Sequence, residues 1–289
     1  MTGRTGQTAS ASPTVSRVPD WGASAHPFDI TRPHPARLWN LLARGKDHYP
    51  IDRQVADLAA EVHPGLAANA THRLAFRARA TRHFAQYGLD QFLVVGTDLP
   101  TATLQDEVHQ IAEHITPGAR VVYCDSDPLV LAYARALFTA AKGHVGHVEG
   151  DLHDPDRLLI RAASVLDLQR PVGVLLINTL DLLDDQEAES ALRRLVSAVA
   201  VGSRFAVSYM TDEVNPVQVR GVAEVYRDHH LELRPRTAAD VTRLLGSLRL
   251  TGTSPVPCSR WHPDEPAWPA PDADHAVDVW CAVAVKEPP

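Results

Sequence analysis

Four short apolar runs in this sequence end in polar residues whose chemistry belongs together. QFLVVG (91–96) leads into Gly96, Thr97 and Asp98, and RVVYCD (120–125) into Asp125, Ser126 and Asp127. HVEGD (147–151) ends in Asp151, and PVGVLLIN (171–178) leads into Asn178, Thr179 and Asp181. A carboxylate just after a second strand accepts two hydrogen bonds from a vicinal diol, so Asp125 is a candidate for ribose hydroxyls. Gly96 ends a strand where a backbone must turn sharply or approach a ligand closely, and Thr97 follows it in the same loop. Carboxylates crowded at one crevice cannot all ionise cheaply. One of Asp98, Asp181 and Asp127 would keep its proton near neutral pH and serve as an acid or base, with the phenol of Tyr209 as a further proton-transfer group. Asp127, followed by Pro128, also fits a helix cap.

These residues need a scaffold that brings strand ends together. From residue 91 the apolar runs alternate with amphipathic stretches at 101–115, 128–141 and 155–167, and the pattern continues with a helix near 186–200, a strand at 203–209, helices at 214–230 and 237–247, and a strand pair near 249–256 and 278–285. Strand and helix in strict alternation predict an α/β, doubly wound parallel sheet of Rossmann type, whose ligands bind at the carboxyl ends of the strands. Residues 34–87 follow a helical apolar period broken at Gly45, Pro50 and HPG (63–65), with Arg37, Arg44, Lys46, Arg53, Arg73 and Arg77 on the polar faces. The expected organisation is a disordered tail at 1–25, a helical cap at 26–88, and a sheet domain at 89–289 carrying a proline-rich loop at 263–274.

Composition narrows the function. With 28 basic and 35 acidic residues the formal charge is −7, without a basic run that would follow a phosphate backbone, which argues against nucleic acid. Cys124, Cys258 and Cys281 are three and widely spaced, matching neither a disulfide framework nor a zinc knuckle, so they are expected to be reduced in a cytoplasmic protein. The first 25 residues lack the apolar stretch of a signal peptide or membrane span. Phosphate-loop, zincin and serine-hydrolase motifs are missing at the strand ends. His144 and His147, beside Gly143 and Gly146, fit a loop entering the third strand better than a metal site. Most other histidines read as solvated or capping residues, with His48 in the cap the one to watch.

The stretches ARLWNLLARGKDHYPIDR (36–53), FLVVGTDLPT (92–101), RVVYCDSDPLVLAYARAL (120–137), GDLHDP (150–155), RPVGVLLINTL (170–180) and VPCSRWHPD (256–264) together carry a resemblance. The chain resembles the actinobacterial S-adenosylmethionine-dependent methyltransferase family over residues 34–286. That resemblance implies a class I methyltransferase sheet under a helical N-terminal cap, with Gly96 and Thr97 in the cofactor loop, Asp125 on the ribose and Asp151 near the adenine amino group.

Against that family's loop, DIGTGLPT, this chain has Val94 in place of an acid and Asp98 in place of a glycine. Asp181 and Tyr209 stand where the family has histidines, and Arg44 where it tends to glycine. Val94 can hold no ammonium, and Asp98 would face the carboxylate of the cofactor, so S-adenosylmethionine is expected to bind weakly. The reading that follows is a remodelled pocket performing an elimination, cyclisation or rearrangement on a small molecule. In it Arg44, Lys46, His48 and Asn178 bind substrate and no metal takes part. The alternatives are methyl transfer from S-adenosylmethionine to a small molecule, and a non-catalytic subunit supporting a protein partner or a second copy.

Overall fold

The computed structural model describes residues 29–101, 107–252, 254–261 and 277–288; the expected tail at 1–25 and loop at 263–274 lie outside them. Three helices come first: α1 (Pro35–Leu42), α2 (Pro50–Val62) and α3 (Leu66–Gln86). The alternating part follows as β1 (Gln91–Val95), α4 (Val108–Ile115), β2 (Arg120–Asp125), α5 (Pro128–Leu137), β3 (His144–Glu149), α6 (Pro155–Ala162), β4 (Gly173–Ile177), α7 (Asp185–Ala198), β5 (Arg204–Met210), α8 (Pro216–Asp228) and α9 (Ala238–Leu244). The short strands β6 (Arg249–Leu250) and β7 (Val256–Pro257) precede β8 (Val279–Val285). Among the described residues no helix is long and apolar enough to cross a membrane.

The strands form one sheet in the order β3-β2-β1-β4-β5-β8-β6, with β7 pairing β8. The first five are parallel and β8 runs antiparallel to β5. Because side chains alternate across a strand, the continuous apolar runs bury both faces. Phe92, Val94, Leu175, Ile177 and Ala206 face a core shared with α1–α3 and α8. Leu93, Val95, Leu176, Phe205 and Val207 face a second core under α6, α7 and α9. Strand order reverses between β1 and β4, and a crevice opens there above their carboxyl ends.

Several helix starts are written locally. Asp127 accepts the Leu129 N–H ahead of Pro128, and Asp184 with Glu187 and Thr237 with Asp240 form capping boxes. Helix ends are set by packing, and the predicted helices are longer than the real ones. The stretch expected to be helical to 141 stops at Leu137, because Phe138 turns extended and buries its ring in the core.

Two expectations need correction. Arg37, Arg73 and Arg77 are not on a solvated face: they are buried, Arg37 against Asp52 at 3.3 Å and the other two against acids of the sheet domain. His144 and His147 lie within β3, not in a loop ahead of it. Three residues apart on a strand they project to opposite faces, which separates them as metal ligands; the described residues hold no cluster of three or more metal-ligating side chains.

Candidate active site

The crevice encloses about 620 Å³ of empty space, part of it open to solvent. Its wall is built from the β1 loop, the end of β2, the turn after β3, the end of β4 and the first helix of the cap. Gly96 turns the chain out of β1 with φ 77°, and its N–H donates to Cys124 O at 2.9 Å. A Cβ there would sit 2.3 Å from the Thr179 methyl, so glycine is required by backbone conformation and by space. Thr97 N–H donates to Asp125 Oδ2 and Asp127 N–H to Asp125 Oδ1, both at 2.9 Å. These bonds fix the Asp125 carboxyl at the crevice floor. Burial pushes its pKa up to about 8, with the charge of Asp127 adding to the rise against the two backbone donors.

His34 closes this end from above. Its ring caps α1, with Nδ1 3.7 Å from Asp127 and Nε2 4.0 Å from Asp125. Burial lowers its pKa to about 4, so the imidazole is neutral at pH 7 and can donate or accept. Asp151, with Gly150, Leu152 and His153, forms the neighbouring wall, and its Oδ1 accepts the His153 N–H at 2.9 Å.

At the other end Asp98 does not stand alone. Arg73 Nη2 donates to its Oδ1 at 2.6 Å and Arg77 Nη1 to its Oδ2 at 3.0 Å, and Arg77 Nη2 continues to Glu107 at 2.8 Å. Two cations and two anions close a buried, locally neutral chain from the crevice to the N-terminus of α4. Arg73 also lies over the Trp39 ring, 4.7 Å from its centroid, and both residues line the crevice. Asp98 therefore presents no unbalanced negative charge to a ligand, contrary to expectation.

Of the remaining candidates, Asn178 lines the crevice and Asp181 and Tyr209 do not. Asn178 holds φ 54°, its Oδ1 accepting from Ser208 Oγ at 2.7 Å and its Nδ2 donating to Asp181 at 2.9 Å. Asp181 points under β5, where the same oxygen accepts the Met210 N–H at 2.8 Å. Burial raises its pKa to about 7. Its place is behind Asn178, where it holds the side chain of a residue in the left-handed conformation that asparagine adopts more readily than most. Tyr209 faces the opposite core, its hydroxyl buried without a partner and its pKa pushed well above the usual phenol range by burial. Asp127 caps α5 beside the crevice.

Arg44 and Lys46 are exposed on the turn after α1, and His48 bonds Arg53 at 2.9 Å; none of the three lines the crevice. That turn serves Asn40, whose Nδ2 reaches Pro100 O at 3.0 Å and whose Oδ1 accepts the Asp47 N–H, clipping the β1 loop to the cap. Gly45 leaves room for it, since a Cβ there would fall 2.3 Å from the Asn40 amide. The lining residues that pattern reasoning misses, His34, Trp39 and Arg73, come from the cap. For Arg73 the available signal is α3 itself, RLAFRARATRHF (73–84), with arginines on more than one side of the helix.

The family model described as S-adenosyl methyltransferase matches residues 22–287. A solved structure of a DUF574 family protein from Streptomyces avermitilis MA-4680 is 32% identical, covers 90% of this chain and 99% of its own, and superposes with TM-score 0.83. A second, from Thermobifida fusca YX, is 29% identical, covers 90% and 97%, and superposes with TM-score 0.80. No curated protein matches the chain. These likenesses overturn the expectation of an elimination, cyclisation or rearrangement in a remodelled pocket: the match to methyltransferases spans both cap and sheet. The charge conflict that motivated it is removed by Arg73 and Arg77.

Proposed function

We propose that this chain, which belongs to the S-adenosyl methyltransferase family, transfers a methyl group from S-adenosylmethionine to a small-molecule acceptor. The observation that carries the reading is the crevice at the strand-order reversal, where Gly96 brings backbone to the surface beside a fixed, buried Asp125. The residues present fit the cofactor. The crevice is open to solvent on one side and lined by both polar and apolar side chains, and two of its lining residues, Arg73 and Thr179, each hold a buried polar atom, Nε and Oγ1, without a protein partner. When bound, the cofactor supplies an electrophilic methyl group on a sulfonium.

What this chain contributes is binding, orientation and exclusion of water. Asp125 accepts the ribose hydroxyls, and these donors replace water around a carboxylate that burial otherwise disfavours. Asp151 with Leu152 borders the base, and Gly96, Thr97 and Asp98 border the arm carrying the sulfur. Trp39, Ile177, Leu182 and Leu183 supply an apolar wall against which a small acceptor is aligned, and Asn178 presents backbone at the end of β4. Asp181 acts through Asn178, as a positioning residue.

Thermal unfolding with S-adenosylmethionine tests this directly. At a hundredfold its Kd a ligand contributes about 2.7 kcal/mol, about 5 °C in Tm for a chain of this size. No shift with millimolar-range cofactor or with S-adenosylhomocysteine would reject the reading.

A further inference from the structure

Two parts of the crevice wall are held in place by arginines, and both offer hydrocarbon. The cap contributes Trp39, whose ring lies under the Arg73 guanidinium at 4.7 Å. A cation over one face draws π-electron density toward it, which leaves the ring edge more positive and better suited to meet the face of another, electron-rich ring. The turn after β4 contributes Leu182, half-buried, and Leu183. Arg236, itself buried, grips this turn: its Nη2 donates to Leu180 O at 3.1 Å and to Leu183 O at 2.9 Å, and its Nη1 to Asp185 at 2.6 Å. The Arg234 N–H adds a bond to Asp181 O at 2.8 Å. A turn tied by three of its carbonyls keeps its apolar side chains in position, so a ligand meeting them orders little on binding.

The charged groups of the crevice are matched already or belong to its other end. Asp98 is held by Arg73 and Arg77, Asp151 has His153 at 3.4 Å, and Asp125 lies at the end of β2 beneath a neutral His34. Among the described residues, those that line the crevice at the end of β4 and in the turn after it are Ile177, Asn178, Thr179, Leu182 and Leu183, none of them ionisable. A charged group entering there gives up water and gains no counter-charge. We propose that the space between Trp39 and the Leu182–Leu183 turn takes an uncharged aromatic ring, so that the methyl acceptor is a neutral aromatic or heteroaromatic molecule rather than an amino acid, a polyamine or a nucleotide. The inference rests on the methyl-transfer reading and names the substrate class of the same site. Leu182 and Trp39 touch the ring and set the selectivity; Arg236 acts through Leu182 and Leu183 as a positioning residue.

Calorimetry on protein saturated with S-adenosylhomocysteine tests this at pH 7 with probes that vary charge on one ring system: 2-naphthol, 2-naphthoate and 2-naphthylmethylamine, with cyclohexanol as the neutral aliphatic control. At that pH the second is an anion and the third a cation. The parent is expected to bind 2-naphthol at least about tenfold more tightly than either charged probe, and more tightly than cyclohexanol. Leu182→Glu places a carboxylate in the wall and should reverse the order, with the cation ahead of 2-naphthol. Trp39→Leu should weaken 2-naphthol about fivefold and leave cyclohexanol unchanged. The parent series needs no substitution, so it reports even if a variant folds poorly. Failure of 2-naphthol to bind, equal affinity for the three naphthalenes, preference for a charged probe or for cyclohexanol, or an unchanged order in a folded Leu182→Glu would overturn the aromatic seat. S-adenosylhomocysteine binding would in each case leave methyl transfer standing, whereas a parent that does not bind it overturns both.

Discussion

Changing Asp98 to Asn removes one charge from a cluster that holds two of each sign, and leaves buried Arg73 and Arg77 facing a single anion, Glu107. The asparagine oxygen still accepts from one arginine, but its amide group then points at the other. Removing one partner of a buried ion pair costs about 3–5 kcal/mol, and the retained hydrogen bond places this variant near the lower end, about 3 kcal/mol. With about 2 °C of Tm per kcal/mol for a chain of this length, thermal unfolding of the ligand-free protein at pH 7 should move down by about 6 °C. A double-mutant cycle sharpens the test. Adding Arg73→Met to Asp98→Asn restores neutrality and keeps the Arg77–Glu107 pair, so the double variant should be more stable than the sum of the singles by about 2 kcal/mol. A Tm within about 1 °C of the parent for Asp98→Asn, or strict additivity in the cycle, would refute the view that Asp98 is held in a buried charge network.

Gly96→Ala should abolish S-adenosylhomocysteine binding and lower stability, because a Cβ would meet Thr179 at 2.3 Å on a backbone at φ 77°; unchanged calorimetric affinity would contradict this. On the cap turn, Arg44 adopts φ 61°, so Arg44→Gly should raise stability by up to about 1 kcal/mol, whereas Gly45→Ala should lower it by pushing Asn40 off the β1 loop; denaturant titration distinguishes the two signs. Asp125 and Asp181 have folded pKa values raised to about 8 and about 7, so each binds its proton more tightly folded than unfolded, and the stability this gives is present at low pH and lost as pH climbs from about 4 through those values. Ligand-free Tm should therefore decline from pH 5 to pH 8 in the part due to these groups, and Asp181→Asn should flatten the slope up to about pH 7. For Asp125 the ionised form accepts the ribose hydroxyls, so S-adenosylhomocysteine affinity should rise by up to about tenfold per pH unit from pH 6 to about pH 8 with release of a proton; a Kd flat across that range would exclude Asp125 as the titrating ligand.

What the sequence made legible was what is encoded locally. The parallel sheet is visible because its strands are continuous apolar runs ending in Gly96, Asp125 and Asn178, and a helix start such as Asp127-Pro128 carries its own cap. What stayed hidden depends on partners far along the chain. Arg73 and Arg77 read as solvent-facing because nothing within α3 announces carboxylates 25 and 30 residues further on. Asp181 shows a related difficulty. Its place just after β4 suggests a crevice residue, but the 3₁₀ turn at Leu180–Leu182 sends its carboxyl under β5 to the Met210 N–H. Tyr209 is a matter of parity, since alternate residues of β5 face opposite cores and the phenol falls with Phe205 and Val207 on the side away from the cap. The β1 loop combines both kinds of information. Asp98 is conspicuous in sequence as an acid where close approach to a ligand carboxylate is expected, and taken alone it implies repulsion. A buried charge repels only what its neighbours have left unbalanced, and here two guanidiniums from the cap balance it before any ligand arrives. The sign of its effect on binding is thus set by α3, so an unusual charge in a binding loop has to be matched with its long-range partners before it is taken as evidence of changed chemistry.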